Sequence, residues 1–105
     1  MNNFKAIYKI LRLLDKHKGD ERFDYALISA GALKIPFEAW EQLMIELQES
    51  GYMKGLVYTQ SLSESFPHIV EPIRPRITLK GMEYLEDNSM MKRAGEALRL
   101  IGEII

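Results

Sequence analysis

Two histidines, His17 and His68, are the side chains of this 105-residue chain that titrate near neutrality without special surroundings. His17 stands beside Asp20 and Glu21, a set that could be imagined around a metal ion. No second histidine lies nearby, however, and neither an HExxH pattern nor paired-ligand spacing is present. The chain has no cysteine, which removes thiolate zinc sites, iron–sulfur clusters, disulfides and cysteine nucleophiles. Ser61, Ser63 and Ser65 lack the G-x-S-x-G elbow that would activate a serine, and there is no glycine-rich phosphate loop. The expectation is a non-enzymatic protein without a cofactor, with both histidines solvated in loops or at strand ends.

Binding chemistry is better represented. Lys5, Lys9, Arg12 and Lys16 recur at steps of 4, 3 and 4, which places them on one helix face. Arg74 and Arg76 share a strand parity, with Lys80 just beyond. If these groups adjoin, they could hold a phosphate backbone; if not, the first group is simply a solvated face. The chain as a whole has no attraction for polyanions, because 14 Lys and Arg stand against 15 Asp and Glu. Residues 36–51 argue against groove reading: they hold four Glu and no Lys or Arg, so Gln42 and Gln48 would read adenine among like charges. If DNA is a partner, Lys5, Lys9, Arg12, Arg74 and Arg76 are therefore expected to carry it.

A protein partner is the alternative. Ile45 falls among the Glu and Gln of the same segment, away from the core arc, and is predicted to be an exposed apolar residue with an acidic rim. The last segment offers Leu98, Ile101 and Ile105 on a wide apolar stripe, with Ala94, Gly95, Ala97 and Gly102 small enough for close helix approach. That helix could pack on the first helix of the same chain or on its copy in a homodimer.

These residues need elements to hold them. The length fits one domain over 1–105 and allows a core without staples. Phe4, Ile7, Leu11 and Leu14, at steps of 3, 4 and 3, predict a helix over about 3–17 that Gly19 stops. Asp24 as N-cap and Gly31 as a left-handed terminus predict a short helix over about 24–30, and Arg22-Phe23 could form a short strand before it. Pro36 fits the first turn of a third helix over about 36–50. Phe37, Trp40, Leu43, Met44 and Leu47 form its core arc, and Gly51 closes it. Beyond Gly51 the period changes to that of a hairpin, about 52–60 and 68–77, with a loose tip at 61–67. Pro67, Pro72 and Pro75 make its second strand an edge or a broken one. Thr78 caps a helix over 79–87, and a last helix is predicted over 89–104 from Met90, Ala94, Ala97, Ile101 and Ile104. Charges interrupt the apolar start, so no signal peptide is expected. The longest uncharged, mainly apolar stretch, 26–33, is far short of a membrane span. The protein reads as cytoplasmic.

The order of three helices, a hairpin and trailing helices is that of an α+β, mostly helical, winged helix-turn-helix domain with an extra C-terminal helix. The run Thr78-Leu-Lys80-Gly81-Met-Glu-Tyr84-Leu85, followed by Asn88, resembles the junction that ends the wing and opens the next helix in many winged-helix proteins. Together with Glu49-Ser-Gly51-Tyr52 and the long last segment, it is similar over nearly the full length to the YjcQ-like family of small bacterial and phage proteins. That resemblance implies a winged-helix-like fold and a regulatory or phage-structural role, and it carries no functional residue with it.

Overall fold

The computed structural model of the protein describes residues 3–88. Helix α1 covers Asn3–Lys16, a 3₁₀ turn covers Tyr25–Ile28, and α2 is a single turn, Ala30–Leu33. Helix α3 covers Phe37–Glu49, and four short strands follow: β1 Met53–Lys54, β2 Val57–Thr59, β3 His68–Val70 and β4 Arg76–Ile77. Helix α4, Leu79–Asp87, completes an α+β fold in which helices account for about half of the described residues. The predicted helix over 89–104 lies outside them.

On α1 the buried residues are Ala6, Ile10, Leu11 and Leu14, while Phe4 at its start is 62% exposed. The segment expected as one helix over 24–30 is broken. Asp24 does cap it, accepting from the Ala26 N–H, but Ser29 adopts an extended conformation and caps a second turn by accepting from the Ala32 N–H. Gly31 lies inside that turn, and Lys34, at φ 57°, supplies the left-handed terminus instead. Arg22 and Phe23 form no strand. Pro36 stands one position before α3, where its carbonyl accepts from the Trp40 N–H.

Trp40 is buried in the main cluster, which also holds Ile10, Leu11, Leu33 and Met44, and its indole N–H donates to the Ile28 carbonyl at 2.8 Å. That bond satisfies the polar end of a large apolar side chain and ties α3 to the 3₁₀ turn.

The hairpin is not continuous. Met53 and Lys54 pair with Ile77 and Arg76, whereas Val57, Tyr58 and Thr59 pair with Val70, Ile69 and His68. Between the two pairings, residues 71–75 span what residues 55–56 span on the other side. The longer side contains Pro72 and Pro75, which have no N–H to offer a ladder. Gln48 of α3 takes over the missing pairing: its side chain accepts from the Leu56 N–H at 2.7 Å and donates to the Leu56 carbonyl at 2.9 Å.

Thr78 joins the two halves. Its hydroxyl donates to the Gly51 carbonyl and accepts from the Gly81 N–H, capping α4. Gly81 packs so closely that a Cβ there would overlap the Tyr52 carbonyl oxygen and lie 2.6 Å from Ile77 Cγ1. Backbone cannot yield there as a flexible side chain would. The Gly81→Ala variant is therefore expected to lose about 1–3 kcal/mol in urea unfolding followed by Trp40 emission. Gly31→Ala, in a helical turn with open space around it, should be neutral or gain up to about 1 kcal/mol.

Candidate nucleic-acid interface

The β1–β4 register sets Lys54 directly opposite Arg76. Cross-strand partners share a face of the ladder, so two cations project side by side, while the neighbouring pair Met53 and Ile77 turns into the core. Arg74 is two residues from Arg76, with the fully buried Pro75 between them anchoring the strand. Gly55, at φ 102°, allows the approach: a Cβ there would lie 3.1 Å from the Arg74 carbonyl oxygen.

These three cations line one side of a cleft of about 800 Å³, together with Pro75 and Ile77. The remaining lining comes from the end of α1 and the segment after it: His17, Lys18, Asp20, Glu21, Phe23 and Tyr25. His17 stacks on Phe23 with ring centroids 4.8 Å apart, and Phe23 meets Tyr25 edge-on at 4.9 Å. Lys18 is engaged, 3.1 Å from Asp15 and within reach of the Met82 sulfur. Among the described residues, Lys54, Arg74 and Arg76 have no ion-pair or side-chain hydrogen-bond partner. Like charges opposed on a ladder cost stability, so this arrangement is one that a bound anion would relieve.

The expected cations of α1 are distributed differently. Lys5 and Lys9 are exposed, and Arg12 is partly buried 3.7 Å from Asp15; none of the three lines the cleft. Lys54, which sequence reasoning passed over, joins Arg74 and Arg76 only through the strand register.

Helix α3 presents a different surface from the one expected. Ile45 is 5% exposed, not a free apolar residue. It lies on the helical face between Glu41 and Gln48, and both of these are bonded to the return half of the hairpin or to Leu56. Glu41, expected among the solvated glutamates, is also 5% exposed. One of its oxygens accepts from the Ile69 N–H at 3.0 Å and the other lies 2.9 Å from His68 Nδ1. His68 Nε2 is 3.6 Å from Glu64. His68 is thus a fastener between hairpin and helix, although half its side chain remains exposed. Gln48, committed to Leu56, is not available to read a base. The open face of α3 retains Glu38, Gln42, Glu46 and Glu49.

Among the described residues no group of three or more His, Asp or Glu is placed to hold a metal ion. No described helix is long and apolar enough to cross a membrane. Leu98, Ile101 and Ile105, predicted as interface residues, lie outside the described residues. A sequence model of the YjcQ protein family matches residues 8–104. The chain belongs to the YjcQ family. No curated protein and no solved structure gives a significant match.

The hydrogen bond to Glu41 raises the His68 pKa above the usual histidine value of 6.5. Partial desolvation opposes the rise, and the charges of Glu64, Glu41 and Glu38 add to it. A group whose folded-state pKa is raised stabilises the fold fully below its unfolded value, and that contribution is lost as pH rises through the folded value. The urea midpoint should therefore fall as pH climbs from just below 6.5 through the raised value. Glu41→Gln should flatten that dependence and lower the His68 midpoint in an NMR titration. A wild-type His68 midpoint at or below that of an unfolded peptide would contradict this arrangement.

Proposed function

We propose that this YjcQ-family chain is a non-enzymatic winged-helix protein that binds DNA through the Lys54–Arg74–Arg76 side of the cleft, with α3 kept out of the groove. The winged-helix reading is supported by the order of α1, α2, α3, the strand pairs and α4, with β2–β3 as the wing. The observation that carries the ligand is the cation pair Lys54 and Arg76, opposed on one ladder with Arg74 near them and no ion-pair partner among the described residues. Phosphate contacts supply most of the affinity of such proteins, and counterion release favours the cluster whether or not bases are read. Groove entry by α3 is disfavoured because its open face is acidic and its other face lies under the hairpin. The regulatory role expected for a small DNA-binding domain follows from that ligand.

Arg74→Ala combined with Arg76→Ala should weaken DNA binding and reduce the slope of log affinity against log salt by about 2, since each phosphate contact contributes roughly one unit. Gln42→Ala on the open face of α3 should leave affinity unchanged. An unaltered salt slope in the double variant, measured by fluorescence anisotropy, would remove this assignment.

An assembly role is the second reading, and the wing supports it. Val57 and Val70 are direct partners on one face of β2–β3 and are both exposed, with Leu62 and Phe66 exposed beyond them. If this face joins two copies, light scattering should show a mass that rises with concentration. Val57→Thr together with Phe66→Ser should then hold the protein monomeric.

A further inference from the structure

We propose that the cleft takes a single nucleic-acid strand rather than a duplex, with a base against the His17 and Tyr25 side and its phosphates on Lys54, Arg74 and Arg76. The inference rests on the DNA-binding reading above and names the form of the ligand. A site that only gripped the outside of a duplex would need cations along its whole length. The lining of this cleft comes from two segments instead: Lys54, Arg74 and Arg76, unpaired among the described residues, come from the strands, whereas Asp20 and Glu21 come with the aromatic residues and the Asp15-paired Lys18 from the end of α1 and the segment after it. A second row of phosphates laid across it would meet those two carboxylates and be repelled.

An unstacked base has the properties that the second side requires. It is uncharged, its flat face matches an aromatic ring, and its amino or imino N–H groups can donate to carboxylates. His17, Phe23 and Tyr25 form one connected group, with Phe23 buried beneath the other two. Phe23 thus fixes the rings in place before any ligand arrives, so little side-chain entropy is lost on stacking. Asp20 also sits 3.5 Å from His17 Nδ1 and accepts from the Arg22 N–H, which further restrains the His17 ring. A cleft of about 800 Å³ is of the size that encloses a small ligand, and so has room for a nucleotide of a strand. A duplex keeps its bases stacked and offers their edges only within the grooves. The helix that would have to enter a groove is α3, whose open face is acidic.

The test compares a labelled single strand of about 12 nucleotides with a hairpin duplex of the same composition, by anisotropy on the full chain at fixed salt. The single strand is expected to bind at least about fivefold more tightly. His17→Ala and, separately, Tyr25→Leu are expected to remove most of that preference while leaving duplex affinity unchanged, because stacking on one ring typically contributes a factor of five or more. Trp40 emission and the urea midpoint of each variant establish that it is folded. Equal affinity for the two probes, or a preference that survives both substitutions, overturns the single-strand inference while the phosphate-binding reading stands. Binding of neither probe overturns both.

Discussion

Two polar side chains on one face of α3 hold the strand region in place, Gln48 at Leu56 on its outgoing half and Glu41 at Ile69 on its return half. Proline and an excess of residues break the ladder between Lys54 and Val57, and the unpaired backbone at Leu56 would otherwise be buried without partners. Gln48 satisfies both its N–H and its carbonyl, while Glu41 takes the Ile69 N–H and faces His68. A buried carboxylate is costly to desolvate unless its bonds are made, so Glu41 and β3 depend on each other. Much of the remaining arrangement follows from this. Strand β3 lies over α3, Ile45 is covered, and the β1–β4 pair carries its cations to a cleft that no α3 residue lines.

The result is a separation of charge within a nearly neutral chain. The open face of α3 is acidic, whereas Lys54, Arg74 and Arg76 gather where β1 and β4 meet the segment after α1. Net charge describes what a protein attracts at a distance, while local arrangement decides what it holds. Helix α3 is instead engaged by the strands that follow it, through Gln48 at Leu56 and Glu41 at Ile69. The cationic cleft shares no lining residue with α3.

The helices were largely legible because their signals are local. Apolar spacing on α1 and α3, the capping oxygens of Asp24 and Thr78, and the positive φ of Gly19 and Gly51 all act within a few residues. Gly81 and Thr78 in the family-like run have structural tasks that fit their types. The segment at 24–34 was less legible: Ser29 competes for the backbone through its own hydroxyl and divides what periodicity joins into one helix. Ile45 and Glu41 were misread because a helical wheel with one apolar arc implies one buried face. Helix α3 has two, and the second is covered by polar and mixed contacts that hydropathy does not register. Spacing of seven residues between Glu41 and Gln48, with Ile45 between them, was the available signal.

By itself the sequence determined about where α1, α3 and α4 begin and stop, that Trp40 would be inside, that prolines would interrupt the second strand, and that no cysteine chemistry would operate. Each of these depends on a residue's own torsional limits, hydrogen-bonding groups or lack of them. Tertiary structure alone decided that Lys54 faces Arg76, that Asp20, Glu21 and an aromatic cluster complete their cleft, and that α3 is covered by β3. Those pairings join residues far apart in the chain through a strand register that shifts across the prolines. Only the packed backbone sets that register, because no local preference distinguishes one alignment from the next.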